Sequence, residues 1–255
     1  MTIRLLLCSL AAGLFCAPVT AQDDERRSPD DRYVFKRDHD PNGIGKFYMG
    51  REIAYVMGFG FNGSGARWLE RQEREKEERL TLMVRSLKLK PGDVVADIGA
   101  GSGVISMLMA EQLLPEGYVI GVDVQDEMLL RLQDNAKKKG ITNIVPIKGN
   151  QKSPSLAPAS VDLAIMVDVY HEFEFPYEMM AQISKAIKPG GRVVLVEYRM
   201  EDPTVPIKLV HKMTEKQAKL EVEQKEFGLK WTETIAVLPA QHIIVFTKQA
   251  SEKKN

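Results

Sequence analysis

Apolar positions along this chain gather into short unbroken runs separated by longer amphipathic stretches, and the alternation is regular from Asp93 onward. The runs Val94–Asp97, Tyr118–Asp123, Ile144–Lys148, Val161–Val167 and Arg192–Glu197 predict strands buried on both faces. The stretches Ser102–Leu114, Asp126–Lys139 and Tyr177–Ile187 between them predict helices. Such alternation predicts a parallel sheet with helices packed on both sides. A further helix is expected over Glu215–Phe227, opened by Thr214 and Gln217 in capping-box spacing and stopped by Gly228. Two last strands, Trp231–Val237 and His242–Thr247, are joined only by Leu-Pro-Ala-Gln. So short a connection requires an antiparallel pair.

Upstream of Asp93 the pattern changes. Trp68–Leu87 predicts one long helix, with Leu80, Met83, Val84 and Leu87 as its buried stripe. Its charge run Glu70–Arg79, with Glu70/Arg74 and Glu75/Arg79 four residues apart, reads as a solvated face. Met49–Met57 predicts a short helix, followed by the glycine-rich stretch Gly58–Ala66. Residues 22–45 are polar, charge-dense and without periodicity, which predicts a linker.

The first 21 residues stand apart. A single cation at Arg4, an apolar stretch from Leu5 to Phe15 and the small-residue end Val19-Thr20-Ala21 have the form of a secretory signal cut after Ala21. The apolar run is short for a bilayer span, and the alternative is an anchor through residues 5–19. The expected organisation is a signal over 1–21, a polar linker over 22–45, a helical lid over 46–79 and one α/β domain over 80–250. The expected location is exported, periplasmic or extracellular, without stable membrane insertion once the signal is removed. Both cysteines, Cys8 and Cys16, lie inside the leader, so a mature chain has neither disulfide nor thiolate chemistry. Formal net charge is +0, without the basic surplus that a nucleic-acid partner would need.

The chemistry is concentrated in Val95–Ile105, "VADIGAGSGVI". No lysine stands between Asp97 and Gln112, which removes a P-loop. Val104 occupies the third glycine position of a dinucleotide fingerprint, which disfavours a nicotinamide oxidoreductase. What remains is Asp97 followed by Gly99, Gly101 and Gly103. A carboxylate in the turn would repel a phosphate but suits an ammonium, and S-adenosylmethionine carries an ammonium and a sulfonium without phosphate. Asp123 ends the second strand, where a carboxylate can accept from ribose hydroxyls. Asn150 and Gln151 follow the third strand and can address adenine, and Asp168 follows the fourth.

Asp97–Gly103, Asp123, "MVDVYHEF" and "IKPGGRVVLVEYR" together resemble the ordered motifs of class I S-adenosylmethionine-dependent methyltransferases, in their quinone-biosynthesis-like branch. The resemblance covers about Leu80 to Thr247. It implies a Rossmann-like, doubly wound α/β fold of seven strands in order 3-2-1-4-5-7-6, with only strand 7 antiparallel. Asn150 departs from the family, which more often has aspartate there.

The resemblance implies methyl transfer to a small-molecule acceptor by in-line displacement, with the acceptor near the ends of strands four and five. His171 is the candidate general base, oriented by Glu172 or Asp168, because histidine titrates in the useful range. Tyr48, Tyr170, Glu172, Arg199, His211 and Gln241 are candidate substrate contacts. "HEF" lacks the second histidine of a zinc helix, so no metal is expected. The region Tyr48–Trp68 is expected to close as a lid over cofactor and substrate. The non-enzymatic alternative is an exported binding or scaffolding domain that keeps the fold without catalysis.

Overall fold

The structure, a computed structural model, describes residues 26–27 and 32–250, so the expected signal lies outside the described residues, as does part of the expected linker. Among the described residues no helix is long and apolar enough to cross a membrane.

Two sheets form. The first is small and antiparallel: β1 (Arg26–Arg27), β2 (Tyr33–Phe35), β3 (Gly43–Tyr48) and β4 (Arg51–Ala54), paired in that order. This corrects two expectations, a polar linker to residue 45 and a helix over Met49–Met57. Tyr48 pairs with Arg51, and both residues between them have positive φ, Met49 at 48° and Gly50 at 89°. That is the two-residue hairpin turn whose twist matches its strands, so the chain doubles back where a helix would have run on.

Three short helices follow, α1 (Ser64–Leu69), α2 (Glu73–Glu78) and α3 (Leu80–Ser86), in place of the single expected helix. The last break is at Arg79, held in the left-handed region at φ 56°, ψ 51°, which ends one helix and starts another in a new direction. The stripe Leu80, Met83, Val84 and Leu87 is buried as expected.

The main sheet then builds by alternation: β5 (Val94–Ile98), α4 (Val104–Leu113), β6 (Tyr118–Asp123), α5 (Asp126–Lys138), β7 (Ile144–Lys148), β8 (Val161–Val167), α6 (Pro176–Ala186) and β9 (Ile187–Arg199). After β9 come β10 (Lys212–Met213), α7 (Glu215–Val222), β11 (Leu229–Ile235) and β12 (Gln241–Lys248). The order is β11-β12-β9-β8-β5-β6-β7, the expected seven-stranded arrangement read from its other edge. β12 runs antiparallel to both neighbours, as the short connection required. The eighth strand, β10, was not foreseen; it pairs with β9 at Tyr198 and Arg199, beyond the reach of β8.

Each face of the sheet has its own core. Met179, Met180 and Ile183 of α6 join Val222 and Phe227 on one side, while Met83, Ile105, Met109 and Leu113 cover the other. Thr214 opens α7 as expected, its hydroxyl accepting the Gln217 N–H at 3.0 Å. The helix stops at Val222, short of the expected Phe227, which lies instead on a separate 3-10 turn.

The small sheet is docked, not loose. Lys46 Nζ donates to Glu174 O at 2.7 Å and lies 3.5 Å from the centre of the Phe175 ring. Tyr33 donates its hydroxyl to Glu178 Oε2 at 2.5 Å. Residues 33–54 are therefore part of the wall around the sheet's carboxyl edge.

Candidate active site

Strand order reverses between β5 and β8, which leaves a crevice at their carboxyl ends where open α/β sheets bind ligands. A cavity of about 930 Å³ opens there. Part of its wall is the turn after β5. Gly99 and Ala100 both donate backbone N–H to Val122 O, at 2.8 and 2.9 Å, tying the turn to β6. The Gly101 N–H reaches Asp123 Oδ2 at 2.9 Å, so the carboxylate ending β6 holds the turn in shape. Asp123 Oδ1 takes the Gln125 N–H at 2.9 Å, and the carboxylate keeps acceptor capacity for a hydroxyl in the cavity. Gly103 has a different task. It precedes α4 at φ 83°, and a Cβ there would meet Leu132 Cγ at 2.7 Å. It lets α4 pack on α5, and it does not line the cavity.

The electrostatics of this wall are acidic. Burial pushes the Asp97 carboxyl up to about 6, against the opposing pull of the Ser106 hydroxyl at 2.5 Å. Burial also raises Asp123, and it raises Asp168 well above the ordinary carboxylate range. Asp168 Oδ2 receives Gln241 Nε2 at 2.7 Å, but its buried Oδ1 has no hydrogen-bond partner. Arg74 and Lys208 also line the cavity, and each is engaged, Arg74 with Glu78 at 2.8 Å and Lys208 with Asn42. Carboxylates around the turn, one oxygen of them orphaned, and no lysine within it fit a cationic nucleoside and not a phosphate. S-adenosylmethionine would be held with Asp97 towards its amino-acid part, Asp123 towards its ribose, and Asn150 and Gln151 towards its base.

A second wall carries His171, Glu172 and His211. The first two lie on the 3-10 turn Tyr170–Glu172 after β8, and His211 ends the turn Leu209–His211 directly before β10. His171 is buried. Its Nδ1 stands 2.5 Å from Glu197 Oε2 and its Nε2 stands 3.0 Å from His211 Nδ1. Burial lowers both imidazoles to about 4 and raises Glu172 to about 7. Glu197 is raised by burial to about 8, although Arg51 and the N–H groups of Tyr170 and His171 oppose this. The opposed shifts of His171 and Glu197 agree with their contact on one point: a single proton lies between Nδ1 and Oε2. Arg51 of β4 steadies the turn from behind, donating Nη1 to His171 O at 3.1 Å.

The expected cofactor residues Asp97, Gly99, Gly101, Asp123, Asn150, Gln151 and Asp168 all border this cavity. Several expected substrate contacts do not. Tyr48 is buried in the small sheet, its ring 5.6 Å from that of Tyr33. Tyr170 is fully buried beneath Arg51. Arg199 turns away and donates to the carbonyls of Leu238, Pro239 and Gln241. Gln241 works from behind, through Asp168. The carboxylate that orients His171 is Glu197, where Glu172 or Asp168 was expected, because β9 carries Glu197 directly beneath the 3-10 turn.

Two features escaped the sequence. Arg74 and Glu78 belong to the charge run expected to be solvated, yet both are buried and line the cavity. No metal cluster was expected either, since the histidine missing from "HEF" is supplied by His211, folded in from far along the chain. Ligand atoms of His171, Glu172 and His211 lie within 4.8 Å of one another. Over the glycine turn lies the segment between β4 and α2. Tyr55, Met57, Trp68 and Leu69 line the cavity. Gln125 accepts the Phe59 N–H at 2.7 Å, and Glu70 is bound by Arg131 and Asn135 of α5.

Comparison with known proteins bears on the family and the fold. A family profile described as a methyltransferase domain matches residues 89–249, well over half of the chain. The chain is 30% identical over 107 residues to an arsenite methyltransferase of Halobacterium salinarum, covering 42% of this chain and 27% of that protein. It is 24% identical over 123 residues to a demethylmenaquinone methyltransferase of Listeria welshimeri, covering 48% of this chain and 51% of that protein. The matched stretches thus span at most about half the length of these relatives. A solved S-adenosylmethionine-dependent methyltransferase from Aquifex aeolicus shares the fold, with a TM-score of 0.68 at 20% identity, over 74% of this chain and 100% of that one.

Proposed function

This chain belongs to the methyltransferase domain family, among the class I proteins whose cofactor is S-adenosylmethionine, and we propose that it methylates a hydroxyl of a small, largely apolar acceptor. The observation that carries the proposal is the division of one cavity into two chemistries. Carboxylates and glycines surround one part, and His171, Glu172 and His211 stand along another. Phe173, Ile207 and Trp68 add apolar surface suited to the body of such an acceptor. The relatives named above differ in the acceptors of their names, arsenite and demethylmenaquinone, so likeness to them does not choose one.

When bound, the cofactor supplies a methyl group on sulfonium, displaced in line by the acceptor with the thioether leaving. Asp97 and Asp168 hold the cationic moiety in place, and Asp123 with the glycine turn fixes the nucleoside. The lining from Tyr55 to Leu69 keeps water from the reacting pair, the lid role expected of this region. His171, the expected base, has both ring nitrogens engaged by Glu197 and His211. The proton of an acceptor hydroxyl therefore meets the cluster at His211 or Glu172, while His171 and Glu197 set its orientation.

Thermal-shift measurements of the full chain with S-adenosylmethionine, its demethylated product and NAD test the cofactor. Transfer of isotopically labelled methyl across a panel of phenols and quinols tests the acceptor. Stabilisation by NAD alone, or no labelled product from the whole panel, would defeat the proposal. The reading also keeps residues 1–21 as a cleaved secretory signal. Protein recovered from the periplasm or medium should begin at Gln22; a cytosolic chain still starting at Met1 would remove export from it.

A further inference from the structure

We propose that His171 Nε2, His211 Nδ1 and Glu172 Oε1 bind a divalent first-row transition-metal ion, zinc or a metal of similar coordination, on the wall of the cavity. The two nitrogens are 3.0 Å apart, and the carboxylate oxygen is 3.9 Å from His171 Nε2 and 4.0 Å from His211 Nδ1. The longer two separations are too great for hydrogen bonds. They suit a shared ion: with bonds of about 2.1 Å, ligand atoms lie about 3.0 Å apart at right angles and about 4.2 Å apart across the metal. All three separations fall in that window, and together they place the ion close to the plane of the three atoms, so a tetrahedral arrangement needs the carboxylate to close in by about half an ångström.

The donor set is two imidazoles and one carboxylate, used by catalytic zinc sites and by open iron sites. A supporting shell is also built. Glu197 Oε2, 2.5 Å from His171 Nδ1, would accept a hydrogen bond from Nδ1–H with the Nε2 lone pair given to the ion, as outer carboxylates do for ligating histidines. The frame is rigid on both sides, since Arg51 grips His171 O and β10 anchors His211 to β9. All three ligands border the cavity, so the remaining coordination positions open onto it. The role of the ion rests on the methyl-transfer reading: a hydroxyl coordinated there would have its pKa lowered and shed its proton to solvent as it binds, before the lid closes, in place of the base role that His211 or Glu172 has in the ion-free site. Its binding does not rest on that reading.

The test uses the full chain, stripped with a chelator and titrated with zinc chloride, with bound metal counted after gel filtration. One equivalent of zinc is expected. His211→Ala and Glu172→Gln should each weaken binding by about 100-fold, and Glu197→Gln, which touches no metal, by about 10–100-fold. His39→Ala, which removes none of the three ligands, should leave it unchanged. Cobalt chloride in place of zinc should give visible absorption bands that His211→Ala alters. Should Glu197→Gln fail to fold, the partly exposed His211 and the cobalt spectrum carry the test. No saturable equivalent, or one that survives His211→Ala with Glu172→Gln, overturns the site and leaves a hydrogen-bonded proton network. That failure, with stabilisation by S-adenosylmethionine intact, leaves the methyl-transfer reading standing. Metal bound without any such stabilisation does the reverse.

Discussion

Arg51 and Glu221, 170 residues apart in sequence, meet in a buried two-point ion pair, Nε to Oε1 at 2.7 Å and Nη2 to Oε2 at 2.8 Å. The pair joins β4 of the small sheet to α7 of the main domain. The same guanidinium reaches His171 O, so the attachment of the small sheet and the placing of the histidine turn depend on one side chain.

Removing one partner would strand a buried charge. Arg51→Ala or Glu221→Ala should therefore cost about 3–5 kcal/mol in urea unfolding. Replacing both with apolar residues of similar volume should cost far less. Equal losses in the single and double variants would show that the pair is not what fastens the sheet.

Asp97 predicts opposite pH trends for stability and for cofactor affinity. Its carboxyl titrates at about 6 in the folded protein, above the ordinary value near 4 of the unfolded chain. Between these values the folded state binds a proton that the unfolded state does not. Stability from this group therefore rises as pH falls through the window and declines as pH rises, by up to about 3 kcal/mol. A cationic ligand needs the ionised form, so affinity for S-adenosylmethionine should fall by up to about tenfold per pH unit below about 6. Calorimetric titrations across pH on the native protein and Asp97→Asn check both slopes, and the variant should flatten them.

Gly103 and Gly140 separate two costs of adding a methyl group. Both have positive φ, at 83° and 68°, but a Cβ at Gly140 meets nothing within 4 Å. Gly140→Ala should cost about 1–2 kcal/mol from backbone conformation alone. Gly103→Ala adds a collision with Leu132, and its loss should exceed that of Gly140→Ala by about 1–3 kcal/mol. Denaturation midpoints at equal slope would read the difference.

The contact of Glu70 with Arg131 is partly exposed and should matter little to global stability, under about 1 kcal/mol for Glu70→Gln. Its local effect should be larger. Hydrogen exchange over residues 58–69 is expected to quicken, and affinity for S-adenosylmethionine to weaken, because this segment lies over the glycine turn. Unchanged exchange in the variant would argue that the segment is held by its packing alone.

The main sheet was legible because its buried strands are unbroken apolar runs and its connections are long enough to be helices. The antiparallel β12 followed from a connection too short to cross over. The small sheet was not legible, since Gly43–Tyr48 and Arg51–Ala54 are short and mixed, and a positive φ at Met49 leaves no trace in composition. The same applies to Arg79, whose conformation breaks a helix that propensity would continue. At the site, Asp97, Asp123, Gly99 and Gly101 were legible because local spacing places them at strand ends, whereas Gly103 has the same spacing but serves the packing of α4 on α5. The pairing of His171 with His211, and of Arg74 with a cavity and not with solvent, depends on tertiary packing between distant segments.

The bond from Gly101 N–H to Asp123 Oδ2 has a bearing on ancestry. The carboxylate suited to a ribose is also a structural tie within the glycine turn, so its loss would injure the shape of the turn as well as recognition. A descendant that had abandoned catalysis would still be under pressure to keep this aspartate. Its presence alone therefore does not mark a working enzyme, and the sharper marker of chemistry is the histidine pair on the cavity wall.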